Sequence, residues 1–154
     1  MSGQEDPKAV LVELLDVIAQ SSGLDVEVAV QETDEAIVGR FEGEEVGPLI
    51  GKRGQTIDAI QHLARRIVFK AGESPTRVIV DADGYRERRE VALCEEADEA
   101  ADEAIELGEA IELDPMPAYD RRVVHEHLRL RGDVGTHSEG EEPERFLVIS
   151  PLAS

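Results

Sequence analysis

The sequence predicts an α+β chain built as two small domains, and three observations carry that reading. Apolar residues recur at helical spacing in some stretches and alternate in others, so neither element type alone accounts for the 154 residues. Turn signals divide the stretches into the order α-β-β-α-α-β and then α-β-α-β-β. The break falls at Asp83-Gly84, where a strand gives way to a long helix, so the expected domains are residues 1–83 and 84–154.

Residues 7–21 place Val10, Leu11, Leu14, Leu15, Val17 and Ile18 at helical spacing, and Ser21-Ser22-Gly23 ends the run. Leu24, Val26, Val28 and Val30 then alternate with Asp25, Glu27 and Ala29, and Ala36–Phe41 is a second apolar run beyond Glu32-Thr33-Asp34-Glu35. Two antiparallel strands joined by a polar turn fit that pattern. A short helix at Val46–Ile50 leads into glycine. Residues 55–71 repeat apolar side chains at Ile57, Ile60, Leu63, Ala64, Ile67 and Val68, and Thr76–Asp81 supplies a third strand.

From Tyr85 the spacing is helical again. Val91, Leu93, Cys94, Ala97, Ala100, Ala101, Ala104, Ile105 and Leu107 share one side, a run of carboxylates takes the other, and Gly108 ends the helix. A short strand at Ala110–Leu113 precedes Asp114-Pro115-Met116-Pro117, whose prolines forbid a helix interior and prepare a new start. Residues 118–130 read as a helix with Val123, Val124 and Leu128 inward. Val134–Ser138 and Arg145–Ile149 read as strands around the polar turn Glu139–Glu144.

Composition bounds the function. Aromatics make up 3 % of the chain and Trp is absent, so the core is aliphatic. No basic start leads into a long apolar run, and no stretch approaches the roughly eighteen apolar residues a membrane span requires. Cys94 is the only cysteine, which excludes a disulfide framework and a thiolate metal site and agrees with a reducing cytosol. At a helical core position it reads as a small buried hydrophobe. His125 and His127 are two apart on a helix, hence on different faces, and no zinc site follows. With no phosphate-binding Walker loop and no Gly-x-Ser-x-Gly elbow, the chain reads as a non-enzyme without metal or cofactor.

The formal net charge of −19 argues against a nucleic-acid ligand, because affinity for phosphates comes largely from Lys and Arg. The distribution answers that. Nine of the sixteen basic residues fall within 51–89 and four within 120–131, while 90–118 holds eleven carboxylates and no cation. The Debye length at cell ionic strength is about 8 Å, so a remote acidic face is largely screened from a ligand on a basic one.

Two motifs sit in the basic stretches. In Ile50–Ile60, Gly51 and Gly54 flank Lys52 and Arg53 between two helices. Such a turn exposes backbone N–H groups at a helix N-terminus, and glycine lets a phosphodiester approach the main chain. A Gly-x-x-Gly turn that clamps the backbone of about four nucleotides is the signature of the KH module, and the α-β-β-α-α-β order resembles its type II form. The candidate RNA-binding residues are Gly51, Lys52, Arg53 and Gly54, with Ile50, Ile57 and Arg65; Ile60, Val78 and Val80 are further candidate groove walls, and each of the apolar ones fits an ordinary core equally well.

On the helix at 118–130, Arg121 and His125 are four apart and share a face, flanked by Arg122 and Arg129. Arg can fork onto a phosphate while an imidazole donates another bond or stacks on a base. An Arg-x-x-x-His pair names the R-3-H domain, a small single-stranded nucleic-acid-binding fold. Pro117-Ala118-Tyr119-Asp120-Arg121-Arg122 before it and Gly135-Thr136-His137-Ser138-Glu139-Gly140 after it strengthen the likeness.

A KH module ending in Asp83-Gly84-Tyr85-Arg86-Glu87-Arg88-Arg89, followed at once by this segment, resembles the bacterial Jag family, also called SpoIIIJ-associated or KhpB proteins, over roughly residues 8–151. The resemblance implies a cytoplasmic RNA-binding protein, an RNA chaperone or post-transcriptional regulator that works with a small KH-domain partner protein and influences cell elongation and peptidoglycan homeostasis. Many members carry an N-terminal Jag-N domain on a long linker. This chain begins directly at the KH helix, so a member lacking that domain is expected. Single-stranded DNA stays open as a ligand, because a 2′-OH contact is not legible in residue types. KH folds also pair through helices and strand edges, which leaves a homodimer open. The competing reading is a protein-interaction scaffold that uses KH pairing and the acidic 90–112 helix, and the cationic turn is what a scaffold would not need.

Overall fold

The computed structural model describes residues 6–71 and 77–153. It divides into two units between Arg86 and Glu87. Both units are mixed α+β, the class expected from the sequence.

In the first unit, α1 (Pro7–Ser22) starts where the Asp6 carboxylate accepts from the Lys8 N–H at 3.2 Å and ends where Gly23 turns to φ 71°. Helix α1 buries Val10, Leu11, Leu15 and Ala19, whereas Val17, placed in the apolar stripe by spacing, faces solvent. Strands β1 (Glu27–Glu32), β2 (Ala36–Glu42) and β3 (Arg77–Ala82) form one sheet with β2 central. β1 pairs antiparallel with β2, with Val28 opposite Phe41, and β3 pairs parallel with it, with Ile37 opposite Val78. The polar turn between β1 and β2 is held by Thr33, whose hydroxyl accepts from the Ala36 N–H at 3.1 Å. Parallel pairing requires a crossover, and α2 (Gly47–Ile50), a single tight turn at Lys52–Gly54 and α3 (Gln55–Ala71) supply it. The expected start of the third strand, Thr76, lies outside the described residues.

The core of this unit is Leu11 and Leu15 of α1, Ile37 and Phe41 of β2, Ile57, Ala64 and Val68 of α3, and Val78 and Val80 of β3. Gly39 lets α1 lie directly over the central strand. A Cβ there would be driven into a Leu15 methyl and would sit 3.3 Å from one of Leu11.

The second unit is carried by α4 (Tyr85–Leu107), β4 (Ile111–Glu112), α5 (Ala118–Arg129), β5 (Val134–Glu139) and β6 (Phe146–Pro151). The sheet order is β4-β6-β5, all antiparallel, with Thr136 opposite Ile149. Helix α4 buries Leu93, Ala97, Ala100, Ala101 and Ala104, a narrow small-residue stripe that packs with Val124 and Leu128 of α5 and with Val134, Leu147 and Ile149 of the sheet. Val91, Ile105 and Leu107 are exposed and Cys94 is half-buried, contrary to the broader apolar side read from the sequence. Val91 lies well round the helix from the buried stripe, while Cys94 and Ile105 sit at its margin beside Ala101, where the partners of α4 no longer cover it.

Gly39→Val should lower stability by about 1–3 kcal/mol, the usual range for overpacking a filled core. Urea denaturation of the full chain followed by circular dichroism reads this. A midpoint equal to wild type would show that α1 does not press on β2 at Gly39.

Candidate nucleic-acid interface

The Gly-x-x-Gly segment is a backbone reversal between α2 and α3. Gly51 has φ 75°, Arg53 φ 55° and Gly54 φ 77°, three positive values within four residues. Gly51 N–H donates to the Gly47 carbonyl at 3.0 Å and Gly54 N–H to Gly51 at 3.3 Å, which winds the turn tightly. Lys52 and Arg53 are both exposed at its tip, ahead of a seventeen-residue helix whose N-terminus favours an anion.

Both glycines are required by the protein itself. A Cβ on Gly51 would collide with the Thr56 hydroxyl, and one on Gly54 would sit 2.7 Å from the Tyr85 ring. The absent side chains do not leave open space for a phosphodiester, as glycine alone suggests; Thr56 and Tyr85 fill it. Tyr85 is held there by its neighbour. Arg86 donates from Nε to the Val80 carbonyl at 2.9 Å and from Nη1 to the Asp58 carboxylate at 2.8 Å, and its N–H donates to Asp81 at 3.2 Å.

The remaining KH candidates separate. Ile57 and Val80 are fully buried, with Val78 and Ile60 close behind, so these are core residues and not accessible groove walls. Ile50 is half-buried at the end of α2. Arg65 is exposed, and its Nε donates to the Val78 carbonyl at 3.1 Å; Gln61 accepts from the Val80 N–H at 3.0 Å. The outer edge of β3 is thus closed by polar side chains from α3 and by Arg86.

In the second unit, α5 brings Arg121 and His125 to successive turns, but their side chains do different things. Arg121 is 9 % exposed. Its guanidinium donates to the Met116 carbonyl at 2.6 Å, pairs with the Glu142 carboxylate, and reaches the Arg145 carbonyl at 3.5 Å. The expected fork onto a phosphate is therefore already engaged, and Arg121 ties α5 to the two segments that flank it. His125 is exposed, with Nδ1 hydrogen-bonded to the Thr136 hydroxyl on β5. Arg122 and Arg129 are exposed beside it, Arg122 in a 3.2 Å pair with Glu126 that is worth little in water. Tyr119, one turn before Arg122, is 59 % exposed; as a flat aromatic next to cations it belongs to this face, and sequence reading gave it no part.

Other charges are structural. His127 meets Asp98 at 3.0 Å, and Arg131 binds Asp102 at 2.8 Å and Asp133 at 3.0 Å, so part of the acidic helix is a docking rail for α5 and not only a solvated face. Arg89 reaches Asp120 at 3.2 Å. Hydrogen bonds from His127, Arg131 and Arg121 hold Asp98, Asp133 and Glu142, respectively, below the ordinary carboxylate range. Burial, then the nearby Glu90 and Asp98, pushes the Cys94 thiol up, which lowers its thiolate fraction. Among the described residues no group of three or more His, Cys, Asp or Glu side chains is placed to hold a metal ion.

A cationic Gly-x-x-Gly turn in an α-β-β-α-α-β unit, joined to a unit built on Arg-x-x-x-His, defines a two-domain KH and R-3-H protein. Residues 8–80 match the KH domain of KhpA and KhpB, and residues 92–151 match the R-3-H domain. The chain is 37 % identical over 132 residues to the RNA-binding protein KhpB of Clostridium symbiosum, covering 86 % of this chain and 60 % of that one. It is 34 % identical over 138 residues to the RNA-binding protein KhpB of Bacillus subtilis, covering 88 % and 66 %. To that of Lactiplantibacillus plantarum it is 41 % identical over 110 residues, covering 71 % and 34 %. The chain belongs to the KhpB family, and its matches span between a third and two thirds of the length of these relatives.

Two outcomes follow from this geometry. Gly54→Ala should destabilise the chain by about 1–3 kcal/mol, from a left-handed backbone carrying a Cβ and from collision with Tyr85; a thermal midpoint equal to wild type would mean that the ring moves aside freely. The depressed carboxylates have folded pKa values below their unfolded ones, so their pairs stabilise the protein above about pH 4 and release that stability as pH falls through the folded values. Thermal midpoints of the full chain recorded against pH should decline in that acid window, and Glu142→Gln should make the decline shallower. An unchanged decline would remove the Arg121 pair from the acid response.

Proposed function

We propose that the protein binds single-stranded RNA, with the Lys52–Arg53 turn as its main backbone clamp and the α5 face around His125, Arg122 and Arg129 as a second contact. The observation that carries the reading is the turn: two exposed cations at the tip of a rigid positive-φ reversal that heads a long helix. A helix N-terminus and paired cations favour an anion at one place, and the fixed backbone spares the ordering cost of binding. Three relatives named as RNA-binding proteins support the same ligand.

On this reading Gly51 and Gly54 shape the clamp, Lys52 and Arg53 meet phosphates, and Ile50 and Arg65 lie at the margin of the strand's path. Arg121 sets the position of α5. Ile57 supports the turn from below. The family resemblance extends the proposal to an RNA chaperone or post-transcriptional regulator, acting in the cytoplasm with a small KH-domain partner protein and serving cell elongation and peptidoglycan homeostasis. Among the described residues no helix is long and apolar enough to cross a membrane.

The test is titration of a labelled single-stranded oligoribonucleotide, with the matching deoxyribonucleotide as comparator. Changing Lys52 and Arg53 together to Asp should abolish binding while circular dichroism and melting stay near wild type, since Asp tolerates the left-handed conformation at position 53. Undiminished affinity would sink the clamp. Arg122→Ala with Arg129→Ala should weaken binding several-fold and make the dependence on log salt shallower by roughly 0.7 per lost phosphate contact; an unmoved salt slope would leave α5 with a structural role only.

A further inference from the structure

We infer that Thr136 is a positioning residue for His125: its hydroxyl donates to Nδ1 of the imidazole, fixes the ring, and leaves Nε2–H as the donor presented to a single-stranded ligand. This rests on the proposed role of the α5 face in nucleic-acid binding. A neutral imidazole carries one N–H and one bare nitrogen, and the partner of one nitrogen decides the state of the other. Here the partner of Nδ1 is the Thr136 hydroxyl, and among the described residues Nε2 has no protein partner. A hydroxyl can donate or accept. In a neutral ring only donation by Thr136 leaves a proton on Nε2, and an Nε2–H attracts a phosphate or carbonyl oxygen where a bare nitrogen would repel it.

The strand makes the hydroxyl a fixed reference. Thr136 is half-buried on β5, directly opposite the fully buried Ile149 of β6, so its side chain shares the sheet face that carries the core. His125 stands on α5, whose Val124 and Leu128 are locked into the same core. The hydrogen bond therefore bridges two rigid elements, while the ring's outer edge stays exposed between Arg122 and Arg129. Those two cations gather an anion, and an oriented N–H then gives it a direction.

Nitrogen-detected NMR of the histidine rings in the full chain, free of RNA, tests the arrangement directly. Wild type and Thr136→Ser should show His125 as the Nε2–H tautomer with Nδ1 accepting a hydrogen bond, and Thr136→Val should move both ring nitrogens toward exchange-averaged values. In titrations with a fluorescein-labelled oligouridylate, Thr136→Val should bind about 3- to 10-fold more weakly, the size expected for one oriented hydrogen bond, and Thr136→Ser should recover most of it. In a His125→Ala background, Thr136→Val should have no further effect. A wild-type Nδ1–H tautomer, or an equal loss from Thr136→Val with and without His125, would overturn the assignment. If the tautomer is as expected but His125→Ala leaves RNA affinity untouched, the ligand-facing part of this inference fails, while the second contact of the proposed function stands or falls separately on the salt slope of the Arg122→Ala, Arg129→Ala variant.

Discussion

The first domain depends on a backbone reversal that side-chain-bearing residues at positions 51 and 54 could not make without collision. Three positive φ angles within four residues set its path, and the volumes a Cβ would fill are taken by Thr56 and the Tyr85 ring. Thr56 is local. Tyr85 is not, for it follows β3 and opens the next helix, so the shape of the turn depends on the third strand being in place. Arg86 enforces that order by gripping Asp58 of α3, the Val80 carbonyl and the Asp81 carboxylate together. A local tetrapeptide thus acquires its geometry from long-range packing, and rigidity is what makes a backbone clamp effective.

Charge is divided between structure and surface with little overlap. Arg86, Arg89, Arg121 and Arg131 are half-buried or buried and spend their guanidinium groups on carboxylates and carbonyls of their own unit. Such groups are costly to leave unpaired and of limited value to a ligand that would have to displace their partners. Lys52, Arg53, Arg122 and Arg129 are exposed, Arg122 in a surface pair with Glu126. The −19 total therefore says little about the surface at the turn, whose cations stand clear of the 90–118 carboxylates in sequence, whereas α5 packs beside some of them. Part of that acidity is itself structural, since Asp98 and Asp102 anchor α5 through His127 and Arg131.

The element order was legible because hydrophobic periodicity and turn residues agree along nearly the whole chain. Gly23, Gly108, Pro7 and the Pro115–Pro117 pair each mark an element boundary by simple backbone sterics. What spacing could not tell was which way an ambivalent side chain points. Val17 and Val91 are apolar yet exposed, because a helix of this length has more apolar residues than its partners cover. Ile57 reads equally as groove wall or core, and only three-dimensional packing assigns it to the core. Arg121 is the sharper case: its four-residue spacing to His125 places the backbone on a shared face, but Glu142 and the Met116 carbonyl, distant in sequence, turn the guanidinium inward. Thr136 lies in the Gly135–Gly140 segment that carries part of the family likeness, yet the role inferred for it needs the pairing register and the approach of α5.

These placements bear on the kind of recognition the chain can achieve. With Ile57, Ile60, Val78 and Val80 buried and the edge of β3 closed by Gln61, Arg65 and Arg86, few apolar or backbone groups among the described residues are left beside the turn to read base edges. Phosphate contacts fix position and carry no sequence information, and stacking accepts any base. Tyr119 lies beside Arg122 on α5, so the proposed second contact adds a stacking surface and a directional donor at His125, where the turn supplies mainly charge. Two weak and differently composed contacts joined by a covalent chain gain affinity through effective concentration without either being strong alone.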